Sequence, residues 1–298
     1  MSERRQHALM LAPYALGLVV LVAAPAAITF ALALTDYDLV RPPSFVGFDN
    51  FRELLDDRVF GIVLVNSFLF AAIATPLRLL VALGLALLLW SRFRGVGVAR
   101  SVAVIPTVVP EVAYGLLWLW LLNPLYGPVN GLLTIGGEGG GTVFGRLPPQ
   151  WLTDPNHARA GIILMSLFTV GEAFVVLLVA RQAVSTDLYE LAALEDAPAW
   201  DVFRRITLPV LAPILVLLFL RDMLLSFTFT FVPALIVTEG GPPNYGTTYL
   251  PLFVYREAFE YLRYGYAAAA TVTMLVLTVP IVWLQWRILR RLRAFRGS

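Results

Sequence analysis

Five charged side chains stand within or beside long apolar runs: Arg78, Glu111, Glu172, Arg221 and Asp222. A charge at the centre of a bilayer costs about 3 kcal/mol on insertion scales, so each of these should face protein or water. Carboxylates placed this way can line a polar path or carry protons, and arginines can pair with them as structural glue. Arg221 and Asp222 are adjacent, so on a helix they point in different directions and call for different partners. Glu111, Tyr114 and Trp118 lie at i, i+3 and i+7 on one helical face, and Ser226 and Thr230 share a face at i, i+4. Hydrogen-bonding groups beside an aromatic platform suit a polyhydroxylated solute. Core packing accounts for Trp118 equally well, and a Ser or Thr can simply bond the carbonyl four residues earlier.

Other chemistry is excluded by residue type. The chain has no Cys and two histidines, His7 and His157, in separate segments, so thiolate and imidazole metal sites and Cys nucleophiles fall away. All 22 basic residues are Arg. A nucleotide-binding phosphate loop requires a Lys, so this chain carries none, and Schiff-base chemistry is also ruled out. With no nucleophile–base or metal constellation in view, no catalytic residue is expected.

The elements that must position these side chains follow from composition. Of the 298 residues 59% are hydrophobic and 14% charged, and the mean hydropathy is +0.77. Soluble domains run about 45–50% apolar and about 25% charged. Apolar stretches run over 8–34, 61–90, 101–122, 160–180, 209–237 and 264–286. Each supplies the ~20 residues that cross a ~30 Å hydrocarbon layer. They are too long and continuous for barrel strands, so the expected fold class is an all-α integral membrane protein of about six transmembrane helices, one domain over 1–298. The first stretch is nearly twice a signal-peptide core and is expected to stay as a membrane helix.

An even number of spans puts both ends on one side. Arginines at the two ends and in the loops after the second and fourth spans outnumber those of the opposite loops nearly two to one. The positive-inside rule then makes both termini cytoplasmic, with the Trp286–Arg293 tail anchoring the last helix at lipid headgroups. Among the opposite loops, Gly136–Gly141 and Gly240–Pro243 read as turns or mobile loops. The first outer loop, between the first two spans, carries Arg41-Pro-Pro-Ser, and its residues 48–55 alternate polar and apolar at helical spacing and predict a short amphipathic interfacial helix.

The loop at about 185–209 is more than a connector. Asp187 and Glu190 have capping-box spacing, predicting a helix that starts near Leu188. Asp196 is placed to cap a second helix, with Pro198 in its first turn. The product is a helix-turn-helix elbow of small and acidic residues to which a cytoplasmic protein can dock.

This elbow resembles the EAA motif of binding-protein-dependent ABC importer permeases: Glu-Ala-Ala, a Gly three residues on, and Ile-x-Leu-Pro nine further. Glu190, Ala192, Ile206, Leu208 and Pro209 fall in register, whereas Leu191 replaces the first Ala and Asp196 stands at the Gly position. Asp tolerates left-handed turns better than most residues. The likeness extends through Phe45–Phe51, Ile105–Pro110, Trp120–Gly127, Trp151–Pro155, Gly240–Pro242, Tyr255–Phe259 and Tyr264–Ala267, which look like carbohydrate-importer permeases of the maltose and glycerol-phosphate type.

The resemblance implies a type I ABC importer permease fold in the cell membrane of a prokaryote. It implies a second homologous permease subunit, two ATPase subunits that bind the ATP and Mg, an extracytoplasmic substrate-binding protein and a sugar or polyol cargo. Glu190, Ala192, Ala193, Asp196, Ile206, Leu208 and Pro209 would form the ATPase-coupling loop. Glu111, Tyr114, Trp118, Glu172, Asp222, Ser226 and Thr230 are the candidate substrate pathway, with Ser226 and Thr230 favoured because the fifth span supplies contacts in maltose-type permeases. Beside lipid, no nucleic-acid partner is expected. The charges alone also allow a secondary transporter carrying protons on Glu111, Glu172 or Asp222.

Overall fold

A computed structural model describes residues 3–91, 93–134, 149–183, 185–241 and 245–294. The Gly136–Gly141 run, Pro242, Pro243 and the arginines at 92, 146 and 296 lie outside them. The chain forms helices α1 (Glu3–Leu18), α2 (Ala24–Leu32), α3 (Asp49–Asp56), α4 (Arg58–Leu88), α5 (Val96–Val108), α6 (Glu111–Leu121) and α7 (Pro128–Thr134). There follow α8 (Pro155–Ser166), α9 (Gly171–Ala180), α10 (Thr186–Leu194), α11 (Ala199–Val202), α12 (Leu208–Phe229), α13 (Leu250–Tyr255) and α14 (Tyr264–Ala294). Wide π-type turns join α1 to α2, α11 to α12 and extend α12 and α13.

Helices win for the reason given by the solvent: in lipid only an internally bonded backbone is stable. Among the described residues, four helices are long and apolar enough to cross a membrane unbroken, at Met10–Leu32, Arg58–Leu88, Ala199–Val237 and Tyr264–Ile288. The other two expected spans are not single rods. The run expected over 101–122 is α5 and α6, bent by 103°, and the run expected over 160–180 is α8 and α9, bent by 45°. Pro110 causes the first break. It lacks an N–H and forces its predecessor out of the helical region, and Val109 is extended at φ −67°, ψ 132°. In the second, α8 starts earlier than expected, at Pro155, because Asp154 caps it by accepting from the Asn156 and His157 amides at 3.0 Å. These amides hold the Asp154 carboxyl below the usual range. At the other end the Ser166 and Thr169 hydroxyls take carbonyls of the last turn, at Ile163 (2.6 Å) and Ser166 (2.9 Å).

The chain divides into two compact units. One comprises residues 1–61 and 253–279. In it a two-residue antiparallel ladder pairs Thr35 with Phe45 and Asp36 with Ser44. The amphipathic helix expected over 48–55 is α3, whose Asn50 donates to the carbonyls of Ala33 (3.0 Å) and Thr35 (2.8 Å). Arg263 lies 4.0 Å over the Tyr266 ring and pairs with Glu53 and Glu257, while the Tyr266 hydroxyl donates to Asp57 at 2.8 Å. Burial pushes the Glu257 carboxyl up. The second unit, 62–252 and 280–298, has a core of Ala82, Leu83, Ala86, Phe174, Leu177, Leu211 and Leu218, where α4, α9 and α12 meet.

Candidate functional site

Within the second unit, α4, α12 and the two breaks enclose a cavity of about 210 Å³. The breaks expose helix starts there. Glu111 opens α6 and Glu172 is the second residue of α9, so both carboxylates sit in first turns, where the helix dipole favours negative charge. Irregular backbone facing a cavity inside a bundle is the arrangement by which broken helices present polar ends to a solute.

The charges across the cavity are paired. Arg78 of α4 contacts Asp222 of α12 at 2.9 Å, and Arg221 of α12 contacts Glu172 of α9 at 2.6 Å. Adjacent residues of one helix thus tie it to two others, as their divergent directions require. The two pairs differ in weight. Arg221 and Glu172 are about half exposed (47% and 58%), so their pair contributes little to stability. Arg78 is 6% exposed, lies 5.9 Å from the Phe70 ring centroid and 5.5 Å from that of Phe229, and donates to the Ser226 hydroxyl. The Arg78 end of this pair is buried, while Asp222, 26% exposed, meets the cavity.

The candidate pathway residues separate accordingly. Glu111, Tyr114, Glu172 and Asp222 line the cavity. Trp118 does not; it packs edge-on to Tyr114 and against Phe168 as core. The Tyr114 hydroxyl is committed to the Met165 carbonyl at 2.5 Å, leaving its ring as the cavity wall. Ser226 and Thr230, favoured from the resemblance, are both buried at 1% exposure and do not line the cavity. Ser226 is saturated by Arg78, by Thr75 at 3.0 Å and by its own bond to the Asp222 carbonyl at 2.8 Å. Its role in this structure is to hold Arg78. Thr107 and Thr169 were not anticipated and line the cavity, as does Phe229 of the 226–230 run. The signal for the first two was the Pro110 and Gly171 punctuation beside them.

The elbow forms, with different caps from those expected. Ser185, not Asp187, caps α10, accepting from the Asp187 amide at 3.2 Å, so the helix starts at Thr186 rather than Leu188. The second helix starts after Pro198, and Asp196 does not cap it. Asp196 instead closes α10. At φ 49° it is left-handed, its amide bonds the Ala193 carbonyl (3.3 Å), and the Ala197 amide bonds that of Ala192 (3.0 Å). This pair of bonds is the Schellman motif, in which the left-handed position usually carries Gly. Asp196→Gly should therefore relieve about 1 kcal/mol of backbone strain. A rise in the thermal midpoint of the purified protein checks this, and a fall would contradict it.

No residue of α10 or α11 is buried, and Leu188, Leu191, Leu194 and Trp200 are exposed. Glu190, Ala193, Asp196 and Pro209 are exposed, and Ala192, Ile206 and Leu208 are half-buried. Ile206 lies in the π-type turn, and Leu208 and Pro209 start α12, so the elbow runs without a linker into the helix that carries Arg221 and Asp222.

Residues 78–294 match the family described as binding-protein-dependent transport system inner membrane component. The sulfoquinovosyl glycerol transport system permease protein of Agrobacterium fabrum is 31% identical, with 97% of this chain and 92% of that protein covered. The trehalose/maltose transport system permease protein of Thermococcus litoralis is also 31% identical, covering 95% and 94%. In fold, the chain is similar to a subunit of a bacterial alginate ABC transporter, solved with an alginate pentasaccharide-bound periplasmic protein. That likeness has a TM-score of 0.79, 21% identity and coverage of 95% and 93%.

Proposed function

Because this chain belongs to the binding-protein-dependent transport system inner membrane component family, whose members serve as membrane permeases, we propose that its cargo is a sugar or related polyol. A binding protein delivers the cargo from outside, and separate ATPase subunits drive the import. Two relatives matched over nearly their whole length are permeases for saccharide-containing solutes, which supports that cargo class. The cavity suits it, since Glu111 and the paired charges offer acceptors and donors beside the Tyr114 and Phe229 rings.

The observation that carries the energy-coupling part is the elbow: a capped helix-turn-helix with no buried residue and four large apolar side chains exposed. Exposed apolar clusters rimmed by charge mark protein docking sites. The arginine distribution supports a cytoplasmic elbow and cytoplasmic termini. ATP and Mg²⁺ belong to the docked ATPase subunits, because this chain lacks the Lys of a phosphate loop. A second, homologous permease chain completes the pathway.

Reconstitution tests the reading. Proteoliposomes holding this chain, its permease partner and the ATPase subunits should import the sugar only with internal ATP and external binding protein. Uptake by this chain alone, abolished by a protonophore, would overturn it in favour of proton coupling through Glu111, Glu172 or Asp222.

A further inference from the structure

The elbow is held to the rest of its unit through few side chains, and one stack dominates. The Arg181 guanidinium, just beyond the end of α9, lies 5.2 Å from the Trp90 ring centroid and 5.1 Å from that of Tyr189. Trp90 follows α4, and Tyr189 is a half-buried residue of α10 beside Glu190. Arg181 also donates to the Tyr189 hydroxyl at 3.2 Å, and that hydroxyl shares a hydrogen bond with Thr207 at 2.8 Å. Thr207 is the buried residue of the turn that leads into α12. From the other side, Arg100 of α5 donates to the Leu89 carbonyl at 2.7 Å and 3.0 Å, fixing the backbone on which Trp90 sits.

Around this stack the contact is loose. A cleft between the elbow and the helices is lined on the elbow side by Ala193, Ala197 and Ala199, together with Trp200, Val202 and Phe203 of the second helix and the turn after it. Force applied to α10 therefore has two routes inward: the covalent chain at its ends and the Tyr189 ring. We propose that Arg181, Trp90 and Tyr189 form the joint through which displacement of the elbow reaches α4, α9 and α12 together. The same three helices carry Arg78, Glu172, Arg221 and Asp222, so a shift passed through the joint moves both ion pairs across the cavity at once. Energetic coupling travels through packed side chains of this kind, and a guanidinium between two rings is strong and directional. Arg181, Trp90 and Tyr189 are positioning residues, none of them touching the cargo.

The proposal rests on the docking of ATPase subunits at the elbow. Its test is the number of cargo molecules imported per ATP hydrolysed by the full complex in proteoliposomes, with co-purification of the ATPase measured alongside. Arg181→Ala should keep the ATPase bound and hydrolysing while import per ATP falls about tenfold, the scale on which a lost coupling energy shows. Trp90→Leu should do the same. Arg181→Lys should recover part of the coupling, because an ammonium keeps the charge but not the planar stack. Unchanged import per ATP in Arg181→Ala and Trp90→Leu would overturn the joint. Loss of ATPase co-purification in step with import would also overturn it, by making the stack a folding element. Failure of the docking reading shows separately, as a wild-type chain that never co-purifies with ATPase subunits, and takes the joint with it.

Discussion

Asp222→Ala should destabilise the protein by about 3 kcal/mol, the lower end of the scale for breaking a buried ion pair from one side, since Asp222 itself is 26% exposed. The substitution leaves the Arg78 guanidinium, 6% exposed at the cavity wall, with the Ser226 hydroxyl and the Phe70 and Phe229 rings as neighbours. Those neighbours were arranged for a neutralised cation, and none supplies a charge. The double variant Arg78→Met, Asp222→Ala removes both charges and should recover most of the loss, since apolar replacements of buried pairs are often neutral. Thermal unfolding in detergent reads both. A single variant as stable as wild type, or a double variant no better than the single one, would contradict a buried pair. Cargo import should fail in the double variant even when stability returns, because Asp222 lines the cavity.

Gly171→Ala should cost about 1–3 kcal/mol, as overpacking does, and lower import. Gly171 opens α9 at the second break and lets it press against α5: its amide donates to the Thr107 hydroxyl at 3.0 Å. A Cβ there would collide with that hydroxyl, 2.9 Å from the Val104 Cα and 3.3 Å from the Ala103 carbonyl. Two of the three obstacles are backbone and cannot swing aside, which puts the cost at the upper end. Thr107 and Thr169 flank this contact on the cavity wall, so forcing the helices apart also reshapes the site. Thr107→Ala added to Gly171→Ala removes one obstacle of three and should restore only part of the stability. A Gly171→Ala protein with wild-type midpoint and import would show that the two helices approach less closely than described. Small residues where membrane helices meet have this function generally.

Much of the architecture was legible in the chain because lipid leaves the backbone few choices. The apolar runs gave the helices, the amphipathic segment gave α3, and the adjacency of Arg221 and Asp222 gave separate partners. The elbow was legible by its register with a known motif, and the left-handed turn at Asp196 by the tolerance of its side chain. What failed was choice among local rivals and placement across distance. Ser185 and Asp187 both offer an oxygen at the start of α10, and the earlier one took the cap. Pro110 stood in view, yet the 103° bend it allows depends on what packs on either side. Ser226 and Thr230 do share a helical face, but periodicity does not say which face meets the cavity. Arg78, 148 residues away, claims Ser226 for itself.

The absence of Cys makes the central claim open to direct measurement, since a single introduced thiol is the only one in the chain. Glu190→Cys should react with a membrane-impermeant maleimide in inside-out vesicles and not in right-side-out ones, and bound ATPase subunits should protect it. Labelling from the outer face, or reactivity indifferent to the ATPase, would contradict energy input at the elbow.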